Sequence, residues 1–228
     1  MITKDFESHS VESVEVSAIV PTRNSERTLE ACLKSLKSQQ YPCTLIVVEN
    51  NSNDRTFDIA GQLADIVLTG GPERSAQRNL GASATTASVV GFIDSDMALS
   101  AEVVSEVVKA IQSGSVSVVV PERTIASGFW AAVRAFERDL NQGSDANGGP
   151  TLFVRITFNN VHGFDEEMTG PEDWDLGLRV GTLGEQTRIE AWINHVEGHL
   201  RYLEAYRKKA YYTPGIRLFL RKYKKVVG

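Results

Sequence analysis

The chain has 228 residues, of which 42% are hydrophobic and 23% charged, and its formal net charge at pH 7 is −5. This composition is that of a globular protein with one sizeable core, and the acidic balance argues against a surface built for nucleic acid. Cys32 and Cys43 provide neither a disulfide framework nor metal-ligand spacing. Because the N-terminus lacks the regions of a signal peptide and no apolar run has the length of a membrane span, we expect a cytoplasmic protein.

The first predicted element is a strand over residues 16–20, which follows a polar leader over residues 1–14. The strand ends in Pro21-Thr22-Arg23-Asn24, and either Asn24 or Ser25 can cap the next helix. That helix carries an apolar stripe at Leu29, Cys32, Leu33 and Leu36. The Cys32 thiol is therefore expected to be buried.

A second strand, over residues 44–48, leads into the polar cluster Glu49-Asn50-Asn51-Ser52-Asn53-Asp54. Helix caps and Asx turns explain only part of such a cluster. A helix over residues 54–64 and a short strand over 66–68 are predicted next. A small-residue helix over residues 73–82 then carries Arg74 and Arg78.

The strand over residues 89–93 ends abruptly in Asp94-Ser95-Asp96. Ligands of open α/β sheets bind beyond the carboxyl ends of the strands, where two carboxylates can share one Mg²⁺ or Mn²⁺ ion. A turn or helix N-cap is the alternative interpretation. A helix over 101–112 and a strand over 116–120 follow, and this alternation predicts an α/β fold with a mainly parallel, Rossmann-like sheet flanked by helices.

Glycine-rich phosphate loops are missing from the sequence. No Gly-x-Gly-x-x-Gly motif follows the first strand, and there is no Walker loop. If a nucleotide binds, a metal ion rather than a glycine loop must neutralise its diphosphate.

The second half of the chain has a different character. A helix over residues 129–140 precedes the long segment 141–150, which we expect to close over a site. After a strand over 151–157, Gly170-Pro171-Glu172-Asp173 opens a helix, and acids also suit a first helical turn for structural reasons. A last strand over 191–196 delivers His195, and two basic helical stretches end the chain.

These motifs, in this order, resemble those of family 2 glycosyltransferases of the GT-A fold over about residues 16–215. The similar segments are Val-Pro-Thr-Arg-Asn at 20–24, Val-Val-Glu-Asn-Asn-Ser-Asn-Asp at 47–54, Ala76-Gln77-Arg78-Asn79, Asp94-Ser95-Asp96, Gly163-Phe164-Asp165-Glu166 and Glu172-Asp173-Trp174-Asp175-Leu176. The resemblance implies a metal-dependent, inverting transfer of a sugar from a nucleotide-diphospho-sugar, with a UDP-sugar expected, to an acceptor hydroxyl. There are two alternatives. One is a sugar-phosphate nucleotidyltransferase, which would require a glycine-rich loop after the first strand, and the other is a non-catalytic nucleotide-sugar-binding protein.

The resemblance also implies a donor site. Its residues are Pro21, Thr22, Arg23, Glu49, Asn50, Arg74, Arg78, Asp94, Ser95 and Asp96. The base and ribose would lie against Pro21 and Thr22 and against Glu49 and Asn50, where the family more often has two aspartates. Arg74 or Arg78 would approach the diphosphate, although Arg78 could instead pair with a carboxylate on its own helix.

A metal site and a general base complete what the resemblance implies. Asp96 would be the firmer ligand of Mn²⁺ or Mg²⁺, with Asp94 nearer the sugar and with His195, or else His199, completing the site. Asp173 would be the general base and Glu172 its competitor, and burial beside Trp174 would raise the pKa of Asp173. Asp175 is expected to pair with Arg179.

One domain is expected, with residues 15–120 binding the nucleotide sugar, 121–215 binding the acceptor, and 216–228 forming a basic tail. The expected acceptor is a saccharide or a lipid-linked molecule, with no nucleic acid as partner. Trp130 and Trp174 are expected in the core, with stacking on the acceptor as the alternative. The basic C-terminal end could be a solvated helix face or could rest on an anionic membrane.

Overall fold

The structure, a computed structural model, describes residues 13–126, 151–197 and 202–224, with residues 126, 196, 197 and 202–211 described by their backbone alone. The predicted helix over 129–140, the segment 141–150, Trp130 and His199 therefore lie outside the described residues, as does most of the leader.

Strands and helices alternate from β1 to β4, as predicted, and the rest of the described chain is less regular. The strands are β1 (Val16–Thr22), β2 (Thr44–Glu49), β3 (Ile66–Thr69), β4 (Val89–Phe92), β5 (Met97–Leu99), β6 (Ser117–Val119), β7 (Glu122–Ala126), β8 (Leu152–Val154), β9 (Gln186–Arg188) and β10 (Ile193–Glu197). The helices are α1 (Leu29–Lys37), α2 (Thr56–Leu63), α3 (Arg74–Ser83), α4 (Val103–Gln112), α5 (Arg155–Asn160), α6 (Glu172–Gly181) and α7 (Tyr202–Lys222). None of the described helices is both long and apolar enough to cross a bilayer.

Seven strands form the central sheet in the order β3-β2-β1-β4-β8-β6-β9. The pairs β3–β2, β2–β1, β1–β4 and β6–β9 are parallel, and β8 runs antiparallel to both of its neighbours, β4 and β6. The sheet is thus mainly parallel and flanked by helices, which confirms the predicted fold class. Since β1, β2 and β4 are parallel neighbours, the polar segments that follow them meet at one edge.

A second, three-stranded sheet has the order β5-β10-β7. Strands β5 and β7 are short, and sequence periodicity did not predict them. In the antiparallel β5–β10 pair, His195 lies opposite Met97, the residue that follows Asp96. This small sheet therefore brings the last strand of the chain to the Asp94-Ser95-Asp96 motif.

The two faces of the central sheet carry separate apolar cores. On one face, α1 and α4 bury Leu29, Leu33, Val103 and Val107. On the other face, a cluster of phenylalanines includes Phe92, Phe153, Phe158 and Phe164. The thiol of Cys32 is buried in the first core, as predicted, and burial raises its pKa.

Two local predictions are wrong. The strand predicted over residues 151–157 ends at Val154, and α5 begins at Arg155. The β-branched residues Ile156 and Thr157 favour a strand, but Phe158 packs against Phe92 and Phe153, and this tertiary packing overrides the propensity. Helix α1 begins only at Leu29, because residues 25–28 form a preceding turn.

Candidate active site

The edge formed by β1 and β2 is held by a buried glutamine. Thr22 and Glu49, the last residues of the two strands, lie opposite each other. From α3, the Nε2 group of Gln77 donates to the carbonyl oxygens of Thr22, at 3.0 Å, and Val48, at 2.7 Å. Sequence reasoning assigned nothing to Gln77, whose only signal was a polar residue among small ones on a helix. By tying the two strand ends together, Gln77 fixes the relative positions of the residues that the sequence predicted to contact the donor.

The polar cluster after β2 folds back onto the loop after β1. Asn24 does not cap α1; its Oδ1 accepts the Asn53 backbone N–H at 3.0 Å, and its own N–H donates to Ser52 Oγ at 2.9 Å. The Glu49 carboxylate accepts the backbone N–H groups of Asn51 and Ser52. Four of the six residues of the cluster, Glu49, Asn51, Ser52 and Asn53, thus help to shape these loops.

The other predicted donor residues on these loops remain at the same edge. Pro21 and Thr22 are buried, and within the described structure the Thr22 hydroxyl has no hydrogen-bond partner. The Asn50 backbone N–H donates to Thr22 O at 3.1 Å, and its side chain reaches Pro72 O at 3.2 Å. Arg23 is exposed at the rim. The structure therefore gathers all of these predicted residues around the ends of two neighbouring strands.

Asp94-Ser95-Asp96 forms a turn between β4 and β5. The Met97 N–H donates to Asp94 O at 3.0 Å, so the chain turns into a strand and not into a helix, and the N-cap interpretation is wrong. Ser95 Oγ lies 3.0 Å from Ser25 Oγ, which ties the turn to the loop after β1. The two aspartates then contact different partners.

Asp94 belongs to a cluster of two arginines and three acids. Arg78 contacts Asp94 (Nη2–Oδ1, 2.7 Å), Asp173 (Nη1–Oδ1, 2.9 Å) and Glu172 (Nη1–Oε1, 3.4 Å). Arg74 reaches Asp94 and Glu172, each at 3.0 Å. None of the three acids lies on α3, so the alternative that Arg78 pairs within its own helix is wrong. The cluster joins the end of β4 to the start of α6.

The charges in this cluster act in opposite directions on the two aspartates. Burial alone would raise the pKa of Asp94, but the guanidinium groups of Arg78 and Arg74 hold that pKa well below its usual range. Although its side chain is only partly buried, loss of water around Asp173 raises its pKa to about 6. The pairing with Arg78 opposes this effect, and the neighbouring charges of Glu172 and Asp94 add to it.

Trp174 does not bury the Asp173 carboxylate, contrary to expectation. Its side chain is 47% exposed, outside the core, and its ring contacts Phe219 on α7 with centroids 6.0 Å apart. The Asp173 side chain itself remains 44% exposed, whereas that of Glu172 is 1% exposed. Of the two acids, Asp173 is therefore the one that a substrate can reach.

Asp96 faces the second sheet. Its Oδ2 lies 3.2 Å from His195 Nε2, and the other ring nitrogen, Nδ1, lies 3.3 Å from Glu122 Oε2 on β7. One carboxylate and one imidazole are suitable ligands for Mn²⁺, which accepts oxygen and nitrogen donors. The described residues contain no cluster of three or more potential protein ligands, so a cation at Asp96 and His195 would draw its other ligands from water or a diphosphate.

Contacts of Asp175 hold the first turn of helix α6 in place. The buried Asp175 carboxylate lies 2.6 Å from Arg179 Nη2, as predicted, and it also receives Lys222 Nζ and the Tyr223 hydroxyl, each at 2.8 Å. At the other side of the site, the Asn79 side chain donates to Phe164 O at 3.0 Å and accepts its N–H at 2.9 Å. His162, in the turn before Gly163, has a positive φ of 64°.

Comparisons with known proteins identify the relatives of this chain. The sequence model described as "Glycosyl transferase family 2" matches residues 17–227. The 4,4'-diaponeurosporenoate glycosyltransferase of Staphylococcus haemolyticus is 34% identical over 95 residues, which are 38% of this chain and 25% of that protein. Glycosyltransferase AglE of Haloferax volcanii is 32% identical over 91 residues, 36% of this chain and 30% of its own length. The matched stretch thus spans under a third of either relative.

Solved structures share the fold. Staphylococcus aureus TarS (residues 1–349), solved in complex with UDP-GlcNAc, superposes with a TM-score of 0.68 at 19% identity, covering 84% of this chain and 61% of that one. The mannosyltransferase PcManGT of Pyrobaculum calidifontis, solved with GDP-Man and Mn²⁺, gives a TM-score of 0.66 at 19% identity, covering 86% of this chain and 60% of that one. At such identities the likeness establishes the GT-A architecture alone.

Proposed function

Since the chain belongs to glycosyl transferase family 2, we propose that it transfers a sugar from a nucleotide-diphospho-sugar to an acceptor hydroxyl with inversion. One observation carries the proposal. Arg78 contacts Asp94, Glu172 and Asp173 at once, so the acid at the start of α6 faces the end of β4 across a single guanidinium group. That arrangement supports the assignment of a base opposite the edge where ligands of parallel sheets bind.

In this proposal the donor lies along the ends of β1, β2 and β4. Pro21, Thr22 and Asn50 contact the base and ribose, while Glu49 acts indirectly by shaping the loop after β2. Arg74 is the arginine that turns to the diphosphate, because its side chain is 32% exposed and has two acid partners. Arg78, at 4% exposed with three acid partners, stays in place and holds Asp173.

Asp96 and His195 would hold the metal ion. When bound, a divalent cation supplies electrostatic stabilisation of the negative charge that develops on the leaving diphosphate. Asp94 contributes differently, since it is already paired with two arginines and orients them towards the donor. We expect Mn²⁺ or Mg²⁺, since both prefer oxygen ligands, and the His195 imidazole favours Mn²⁺ over the harder Mg²⁺.

Asp173 acts as the general base. Its carboxylate takes the proton of the acceptor hydroxyl while the hydroxyl oxygen attacks the anomeric carbon, and the bond from that carbon to the diphosphate oxygen breaks. A single displacement with no enzyme nucleophile inverts the anomeric configuration. A pKa near 6 leaves Asp173 ionised at neutral pH and yet basic enough to accept the proton.

A thermal-shift screen tests the proposal. UDP-, GDP- and dTDP-sugars are added with and without Mn²⁺, and a UDP-sugar with Mn²⁺ is expected to raise the melting temperature, by about 5–10 °C at a hundredfold excess over its dissociation constant. Asp96→Ala should remove the metal-dependent part of the shift. Glu167→Gln, which also removes one negative charge but at an exposed position, should retain it. Failure of every sugar nucleotide to stabilise the wild type would refute the donor assignment.

A further inference from the structure

The final helix carries a surface that the transfer reaction does not use. The buried side of α7 lies along residues 169–175: Tyr212 contacts Gly170, and Gly215 approaches the Thr169 carbonyl so closely that a side chain at position 215 would collide with it. Phe219 is also buried on this side. The orientation of α7 relative to α6 is therefore fixed, and with it the side that α7 turns to solvent.

Next to the buried side, α7 exposes large apolar side chains. Ile216 and Leu220, on successive turns, are 46% and 48% exposed. Trp174, half-exposed on α6, has its ring against Phe219. Exposed apolar side chains grouped in this way mark interaction surfaces more often than isolated ones do.

The adjacent stripe of α7 is basic. At 100° per residue, Arg217 and Arg221 lie on one side of the helix beside Ile216 and Leu220, and Lys224 follows two residues beyond the end of the helix. All three basic side chains are exposed. No acidic residue follows Glu204 in a chain whose net charge is −5. The basic residues alone would be typical of a solvated helix face, but exposed Ile216 and Leu220 beside them would not. The pairing of apolar and basic stripes is complementary to an anionic lipid surface.

We propose that this face of α7, formed by Ile216, Leu220, Arg217 and Arg221 and extended by Lys224 just beyond the end of the helix, rests on an anionic bilayer. The apolar side chains enter the headgroup region while the basic stripe contacts lipid phosphates. The inference goes beyond the proposed transfer reaction and depends on none of its residues. Because α7 contacts α6, the contact would hold the Asp173 side of the molecule near the bilayer.

Flotation with vesicles tests the inference. The whole protein is expected to float with vesicles of phosphatidylcholine containing about 30% phosphatidylglycerol, to stay behind with pure phosphatidylcholine, and to be released by salt. Arg217→Gln with Arg221→Gln should weaken binding about thirtyfold, and Ile216→Ser with Leu220→Ser should abolish flotation. Phe57→Ser, which alters an exposed apolar residue on α2, is the matched control and floats as the wild type does.

Three results would overturn the inference: no flotation of the wild type, unchanged flotation of the Ile216→Ser/Leu220→Ser variant, or a dimer in solution that this variant converts to a monomer. The last result would assign the face to a second copy of the chain. The thermal shift with sugar nucleotides, measured on the same variants without vesicles, tests the transfer function separately. The two hypotheses can therefore fail independently.

A second inference rests on the contact between Glu122 and His195. Glu122 begins β7, which pairs with β10 two residues before His195, and its carboxylate lies 3.3 Å from Nδ1. The opposite ring nitrogen faces Asp96. We infer that Glu122 is a positioning residue: it accepts the Nδ1–H, which leaves the Nε2 lone pair directed to the side of Asp96. Such a partner fixes both the tautomer and the ring orientation of a metal-binding histidine.

Binding of Mn²⁺ alone, followed by electron paramagnetic resonance, tests this role. Glu122→Ala should weaken Mn²⁺ binding by about 10–100-fold, and Glu122→Gln, which keeps an acceptor oxygen, should restore most of the loss. Glu102→Ala, which removes an exposed carboxylate at the start of α4, should bind Mn²⁺ as the wild type does. Equal binding by wild type and Glu122→Ala would refute the inference, as would a Gln variant no better than Ala.

Discussion

The proposed mechanism predicts that two neighbouring acids, Glu172 and Asp173, set the pH dependence of transfer. With a pKa near 6, Asp173 would be about 90% ionised at pH 7 and about 10% ionised at pH 5. Since only the ionised form accepts a proton, kcat/KM should fall about tenfold for each pH unit below 6. An unperturbed aspartate, at the ordinary value of 3.8, would keep full activity at pH 5.

Glu172→Gln separates this effect from other acid sensitivities. The charge of Glu172 raises the pKa of Asp173, so its removal should move the acid limb of the kcat/KM profile to lower pH. The glutamine oxygen can still accept from Arg74 and Arg78, which preserves the geometry of the cluster. Glu167→Gln, which neutralises an exposed carboxylate six residues before Asp173, is the control and should leave the acid limb at the same pH.

Initial rates with a fixed sugar nucleotide, measured between pH 4.5 and 8, provide the profile, and Asp173→Asn should lower the rate by about 10²–10⁴-fold. Melting curves at each pH exclude loss of folded protein as the cause. An acid limb near pH 4 in the wild type, or a limb at the same pH in the wild type and in Glu172→Gln, would falsify the assignment of Asp173 as a base tuned by its neighbour.

Three further predictions concern metal binding and stability. His195→Ala should abolish the Mn²⁺-dependent thermal shift with a sugar nucleotide, and excess EDTA should do the same to the wild type; a shift that survives both would exclude a metal ion at Asp96. Asp175→Ala leaves Arg179 without its acid and Lys222 with Asp165 alone, and it should cost about 3 kcal/mol in urea unfolding. Because pairing outweighs burial and lowers the pKa of Asp175, the wild type should lose this advantage as the pH falls below about 4. Gly215→Ala should destabilise the protein by about 1–3 kcal/mol through collision with the Thr169 carbonyl, whereas Gly61→Ala on α2, where a side chain would meet open space, should be neutral or stabilising.

Periodicity in the sequence predicted the alternating strands and helices and the buried stripe of α1, because such patterns report burial directly. It missed β5, β7 and β9, which are three to five residues long and too short for a period to emerge. Those strands matter, since β5 and β7 flank β10 and bring Asp96 and Glu122 to His195.

The sequence pointed to Asp94 and Asp96 as candidate site residues, but it did not indicate which residues they contact. Asp94 and Asp96 follow the same strand and look equivalent in sequence, yet one contacts arginines from α3 and the other a histidine about a hundred residues away. Spacing along the chain could not distinguish them. Nor could it show that Arg78 contacts acids 94 and 95 residues later, because such contacts depend on tertiary packing.

The paired hydrogen bonds between Asn79 and Phe164 bear on how substrates enter. Together with the Arg78 contacts to α6, they make α3 a rigid connection between the proposed donor side and the proposed acceptor side of the site. A hinge motion between these two sides would break the bonds, so we expect α3 to set the distance between the proposed donor and acceptor positions. Selection among acceptors should then follow from their fit to a preformed gap, and a bulkier acceptor should be refused rather than accommodated.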